Sequence, residues 1–407
     1  MAEWQEYKLK DAPFEIIDGD RGKNYPSQNE FLHSGHCLFL STKNVKRTGF
    51  DFSDCQFIAE AKDKALRKGK LRRLDIVLTT RGTVGNVAFY GEDIPFDKIR
   101  INSGMVIIRP NDAGIYPKYC FYLFRYLQES FETFTSGSAQ PQLPIRDLNE
   151  MEIYLPDLPE QKSIASILSS LDDKIDLLYR QNKTLEALAE TLFRQWFVEE
   201  AEEGWEAGKL GDFGKIICGK TPSKKIHSYF GGKIPFIKIP DMHGKTFIFD
   251  TEDTLTEDGA NSQHNKFLPP KSICVSCIAT VGLVAMNALN SQTNQQINSI
   301  IPYKEIYRYF LYLKLATMKD ELLAMASGGT ATDNLNTGDF SNIDIIKPED
   351  NVIELFHNQV QPNFDKIFAN QTQIRPLTRL RDTLLPKLMS GEVRVKNAGR
   401  LVGKANI

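Results

Sequence analysis

Several short polar runs carry side chains suited to holding a polyanion and touching the edges of bases. Lys43-Asn44-Val45-Lys46-Arg47 and Arg81-Gly82-Thr83 lie in the first half of the chain. Lys220-Thr221-Pro222-Ser223-Lys224-Lys225 and the isolated Lys238 lie in the second half. Lysine and arginine neutralise phosphates; asparagine, glutamine, serine and arginine can pair with base edges. Two loops rich in Ser, Thr and Gln, residues 136–142 and 327–334, add Ser138, Gln140 and Thr330. The candidate contacts are thus Lys43, Asn44, Lys46, Arg47, Arg81, Thr83, Ser138, Gln140, Lys220, Thr221, Ser223, Lys224, Lys225, Lys238 and Thr330.

Catalytic patterns are missing. No G-x-G-x-x-G and no G-x-S-x-G elbow occurs. Gly219-Lys220-Thr221, with Gly214 upstream, has the spacing of a phosphate loop, but Pro222 follows where a helix should continue. Cys274-x-x-Cys277 is a lone pair in an apolar strand pattern, and His33-x-x-His36 with Cys37 has no partner pair. Neither supplies the four ligands of a zinc site. The residues to be positioned are therefore binding residues, with no metal or cofactor expected in this chain.

The elements that must position them occur twice. Gly82-Thr83-Val84-Gly85 is echoed by Ala279-Thr280-Val281-Gly282, and Ser136-Gly137-Ser138 by Ser327-Gly328-Gly329. Asp173-Lys174-Ile175 is echoed by Asp365-Lys366-Ile367, and Thr191-Leu192 by Thr383-Leu384, both at an offset of 192 residues. A unit this long is no solenoid repeat. It implies two related domains that differ in detail.

Each repeat begins β-rich. Strands are expected at 37–40, 76–80, 84–89 and 105–108, then at 235–239, 273–279 and 297–301. Helices are expected at 117–134 and 304–326. Each repeat then closes on a long helix. Ile164, Leu168, Leu171, Ile175, Leu178, Asn182, Leu185, Ala189, Leu192 and Trp196 alternate by four and three residues, a heptad seam. A rod of roughly 50 Å follows from its length. Phe356, Val360, Ile367, Ile374, Leu377, Leu384 and Leu388 mark the second seam, where Pro376 and Pro386 predict a kink or a break. Neither seam can be buried alone. Pairing of the two helices, antiparallel about a two-fold axis, is the simplest solution, with the globular parts at opposite ends; Asn182 would set the register. The expected boundaries are 1–155 and 205–347 for the domains, 156–200 and 348–392 for the spacer helices, and 393–407 for a basic tail.

Bulk properties restrict the partners. The 407 residues carry a net charge of −2 and 41% hydrophobic residues, ordinary for a soluble protein. Charge is segregated nonetheless. Residues 61–73 hold seven bases and one acid, and residues 371–407 hold eight and two. Such patches can meet phosphates although the total is slightly negative. No run is apolar enough for a membrane helix, the first residues lack a secretory pattern, and six scattered cysteines fit a cytoplasmic protein.

Four local signatures complete the pattern. They are Leu155-Pro-Asp-Leu-Pro-Glu-Gln161 before the first long helix, Ser136-Gly-Ser-Ala-Gln140, Gly219-Lys-Thr-Pro222, and Leu384-Leu-Pro-Lys-Leu-Met-Ser-Gly391 at the end of the second. With the order domain–helix–domain–helix, the chain resembles the specificity (S) subunit of type I DNA restriction–modification systems over nearly its whole length. The second copy departs at Val352-Ile353, which stand where the first has Glu160-Gln161. The resemblance implies an α+β fold: two β-rich target recognition domains joined by two long helices in an antiparallel coiled coil. It implies a non-catalytic subunit that recognises an asymmetric, bipartite double-stranded DNA target. It also implies two methyltransferase (M) subunits carrying S-adenosylmethionine and restriction (R) subunits using ATP and magnesium. A protein scaffold with peptide- or glycan-binding β domains is the alternative that near-neutral charge leaves open.

Overall fold

The computed structural model describes residues 4–133, 141–202, 204–327 and 333–395. Ser138, Gln140 and Thr330, and most of the basic tail, lie outside the described residues. The chain forms two compact units, Met1–Ile175 with Arg375–Ile407, and Asp176–Ile374. Each unit takes one β-rich portion and half of each long helix.

The first unit is built on a four-stranded antiparallel sheet in the order Phe14–Asp18, Met105–Pro110, Ile76–Thr79, Val87–Phe89. A second, three-stranded sheet has Cys37–Leu40 at its centre, parallel to Ile99–Ile101 and antiparallel to Phe57–Ile58. Gln5–Lys8 pairs with Glu152–Leu155 at the foot of the domain. Ile76–Thr79 is buried along its whole length and Met105–Pro110 as far as Ile108, as their apolar runs require.

The second unit repeats this order with Gly214–Cys218, Ile297–Pro302, Ile273–Ser276 and Val284–Asn287, and adds Phe247–Ile248 at the edge. Its three-stranded sheet again combines one parallel and one antiparallel neighbour. Glu206–Lys209 pairs with Asp344–Lys347.

The expected helices at 117–134 and 304–326 are each broken once. The segments are Pro117–Tyr126 with Gln128–Thr133, and Tyr307–Thr317 with Lys319–Ala326. The break has one consequence in both repeats. It turns Gln128 against Gly85, and Lys319 against Gly282, so the second segment seats the adjoining loop. Strands expected at 84–89 and 273–279 are shortened because Gly85 (φ 89°) and Ala279 (φ 64°) take left-handed backbone.

The first long helix runs Leu158–Arg194 and the second Asp350–Met389. The expected break at Pro376 or Pro386 does not occur; the helix runs through both, and through Pro362. Each proline forfeits an amide bond and costs about 3 kcal/mol in a helix interior. Burial of Phe356, Val360, Phe364, Ile367, Ile374, Leu377, Leu384 and Leu388 outweighs this, at about 1.5–3 kcal/mol per side chain. Ile164, Leu168, Leu171, Ile175 and Leu178 are buried likewise, and Leu185 and Leu192 partly so.

The pairing is antiparallel within each unit. In the second, Asn370 Nδ2 donates to Asn182 Oδ1 at 2.9 Å, and the Trp196 and Phe356 rings lie 5.9 Å apart. In the first, Arg381 Nη1 donates to Asp172 Oδ1 at 2.9 Å and Arg394 Nη1 to Glu160 Oε1 at 2.8 Å. Asp172 also accepts from Tyr122 Oη at 2.8 Å and Arg125 Nη1 at 3.0 Å, so one carboxylate ties the domain and both helices together. Asp172→Ala strips that acceptor from two guanidiniums that are less than one-fifth exposed. The expected loss is about 2 kcal/mol, discounted for partial solvation, read as a lower urea midpoint.

The basic run 61–73 is largely structural. Lys62 pairs with Glu30, Lys64 with Glu60, Lys70 with Asp63 and Arg73 with Asp97. Asp63 is 2% exposed and receives Arg100 Nε at 2.5 Å and Lys70 Nζ at 2.7 Å. Burial alone would raise its carboxyl; hydrogen bonds from Lys70 and Arg100 outweigh that and hold it below the usual value. A carboxyl depressed in the folded state contributes stability above its unfolded pKa, near 4, and loses it as pH falls through the folded pKa. Asp63→Asn should therefore flatten the decline of stability below about pH 4, measured by urea titrations at several pH values.

Candidate nucleic-acid interface

In the first unit two loops share one corner of the domain. Residues 41–47 follow the strand Cys37–Leu40, and residues 80–86 join Ile76–Thr79 to Val87–Phe89. Asn86 Nδ2 donates to the Val45 carbonyl at 2.9 Å, and a Cβ on Gly82 would lie 3.6 Å from Thr42. The corner thus unites Lys43, Arg47, Arg81 and Thr83, all exposed. Lys43, Arg47 and Arg81 have no ion pair among the described residues.

Two candidates change role. Asn44 is 4% exposed; its Nδ2 donates to the carbonyls of Asp51 (3.0 Å) and Asp54 (2.8 Å), while its Oδ1 accepts from Ser41. It holds the loop and is not available to a base, a correction that follows from burial of a fully bonded amide. Lys46 is exposed but paired with Asp51, whose carboxyl is held down at about 2 by hydrogen bonds from Lys46 and Ser53.

Arg21, which the loop chemistry of the sequence did not single out, completes the corner. With Thr80, Arg81 and residues 142–145 it lines a cleft of about 240 Å³. Its guanidinium is oriented by Asp18 at 3.1 Å. Asp20 accepts the backbone N–H groups of Gly22 (2.7 Å), Arg67 (2.7 Å) and Lys68 (3.4 Å), which keep its carboxyl below the usual range. That contact brings the exposed Arg67 and Lys68 to the same side. The backbones of Arg81 and Gln142 form a bridge, and both residues line the cleft.

The second unit builds the same corner from other side chains. Gly82 (φ 72°) corresponds to Ala279 (φ 64°), and Gly85 (φ 89°) to Gly282 (φ 87°). The bridge Arg81–Gln142 corresponds to Ile278–Asn334. A Cβ on Gly19 would lie 2.4 Å from the Asn102 carbonyl oxygen, and one on Gly219 2.0 Å from that of Asn294. The glycine of Gly219-Lys-Thr-Pro222 is therefore a close-approach residue and not part of a phosphate loop. Arg21 thereby corresponds to Thr221, which donates to Gln295 Oε1 at 2.7 Å. Lys220, Ser223, Lys224 and Lys225 are exposed beside it. Their loop is anchored from beneath by buried Gln263, whose Nε2 donates to the Lys220 carbonyl and to Gln292 Oε1, each at 2.7 Å. Lys238 is half-buried and paired with Asp253. One corner presents two guanidiniums and an amide; the other presents a hydroxyl, an isoleucine and amides.

Cys274 and Cys277 sit in the core, where burial pushes their thiols up to about 12 and about 11. Among the described residues no group of three or more His, Cys, Asp or Glu could hold a metal ion, and no helix is long and apolar enough to cross a membrane. Gln161 lies buried inside the first unit, accepting from the Tyr116 amide at 2.9 Å and donating to the Pro156 carbonyl at 2.9 Å. Its repeat position is Ile353, fully buried in an apolar core.

Comparison with known proteins gives a consistent set of relatives. The sequence model of the type I restriction modification DNA specificity domain matches residues 1–187 and again 202–361. The HindI specificity subunit of Haemophilus influenzae is 34% identical, with 97% of this chain and 100% of that protein aligned. The MjaIX specificity subunit of Methanocaldococcus jannaschii is 31% identical over 82% of each chain. The crystal structure of a type I restriction–modification S subunit from M. genitalium has the same fold, with a TM-score of 0.61 at 16% identity, covering 95% of this chain and 96% of that one.

Proposed function

The chain belongs to the type I restriction modification DNA specificity family, and from that premise we propose that its two repeats each read one half of a split, asymmetric DNA target. It is the specificity subunit of such a system, a non-catalytic component that binds DNA and assembles with the other subunits. The observation that carries the bipartite reading is the pair of equivalent corners with unlike side chains: Arg21, Arg81 and Gln142 against Thr221, Ile278 and Asn334. Shared scaffolds fix where each loop meets the duplex; different side chains demand different bases. The target is then non-palindromic.

The long helices act as the spacer. Thirty-seven and forty residues give rods of roughly 55 and 60 Å. That length suits half-sites about one helical turn, 34–36 Å, apart. Leu177, Tyr179, Leu188 and Leu355 stand exposed on the helices and offer apolar footing to methyltransferase subunits, two in the assembly. S-adenosylmethionine, ATP and magnesium belong to those partners and to the restriction subunits, with adenine the methylated base.

A gel shift with methyltransferase subunits present tests this. Selective binding should weaken steeply with salt, by about 10³-fold or more between 50 and 200 mM if six or more phosphates are engaged. Equal affinity for every duplex would refute it.

A further inference from the structure

We propose that the Asn182–Asn370 pair makes each long helix select the other helix of its own chain over the same helix of a second copy. The proposal concerns assembly and does not depend on DNA reading. Asn182 and Asn370 are 5% and 1% exposed and meet in the seam at 2.9 Å. One bond joins the pair, and Asn370 Nδ2 also donates to Gln181 Oε1 at 3.3 Å; Asn182 Nδ2 and Asn370 Oδ1 have no partner among the described residues. Such a layer is a poor stabiliser beside a leucine pair, so its use is discrimination.

The repeat shows what is discriminated. Partner numbers add to 552 in both seam contacts, 182 with 370 and 196 with 356. In that register Leu178 stands opposite Ile374. The repeat offset of 192 maps Asn182 onto Ile374 and Leu178 onto Asn370. The repeat therefore carries the Asn–Asn layer onto the Leu–Ile layer: polar pairs with polar, apolar with apolar. Now let the first helix pair with the first helix of another copy in the equivalent antiparallel register. Asn182 then faces Leu178, twice, and two amides are buried against methyl groups. Second-with-second pairing likewise sets Asn370 against Ile374 twice. Every other seam position of the first helix, from Ile164 to Trp196, is apolar or aromatic and would accept itself. Asn182 is the seam residue of that helix that objects, because a buried amide without a partner costs more than one that has it.

The test uses the full chain. Asn182→Leu with Asn370→Ile makes the two central layers alike and removes the discrimination. After refolding from urea, light scattering coupled to size exclusion should show an exchanged-dimer fraction about tenfold above wild type. Co-expression of two differently tagged copies reads the same exchange without refolding. Adding Leu178→Asn and Ile374→Asn moves the pair to the repeat-equivalent layer and should return the fraction to the wild-type level. An unchanged fraction in the folded double variant, or continued exchange in the quadruple variant, would overturn the proposal.

Discussion

Removing one heptad from each long helix, residues 179–185 and 367–373, abolishes binding to the native target and creates preference for a shorter one. Each deletion removes facing layers, so the remaining seam stays in register. Seven residues of helix are about 10 Å, or about three base pairs at 3.4 Å each. Three base pairs also turn the duplex by nearly a third of a turn, so the second half-site rotates away from its reader. The residual affinity is that of one half-site or of non-specific contact, and the expected loss exceeds about 10³-fold. A library with randomised spacing between fixed half-sites measures it. Optimal binding should move to a target about three base pairs shorter; an unmoved optimum would show that the helices are not the ruler.

Arg21→Ala with Arg81→Ala is expected to erase preference within one half-site and leave the other intact. The two guanidiniums share one cleft, and Arg21 is held in place by Asp18. A bidentate arginine–guanine pair contributes about 1–3 kcal/mol of discrimination, so the double variant should lose roughly 10²–10⁴-fold on the native target. Competition with duplexes altered at each position locates the effect. Loss confined to neighbouring base pairs of one half-site identifies base reading. A uniform loss across sequences, with the salt slope lowered by about one per arginine, would assign both residues to phosphates instead. The corresponding Thr221→Ala change should act on the opposite half-site.

Much of the architecture was legible because it rests on periodic signals. The four–three spacing from Ile164 to Trp196 can only be a buried helical seam, and the offset of 192 residues announced the duplication. The continuous helix through Pro376 and Pro386 was not legible. A proline cost is local and visible, whereas the burial that outweighs it comes from a partner helix far away in sequence. The corner was half legible. Lys43, Arg47, Arg81 and Lys220 were recognisable by type, but Asn44 looked the same as a reader and is a buried brace. Arg21 escaped because its short stretch, Asp18 to Lys23, holds as many acids as bases and carries no run of polar readers. Aligning Gly19-Asp20-Arg21 with Gly219-Lys220-Thr221 would have found it, since both glycines are fixed by contact with Asn102 and Asn294.

The most direct measurement is a genome-wide map of methylated adenines in cells carrying this chain with its methyltransferase subunits. Two unlike specified segments, separated by a fixed number of unspecified base pairs, are the predicted result. A single continuous motif, or a palindrome with identical halves, would contradict two divergent readers held at a set spacing.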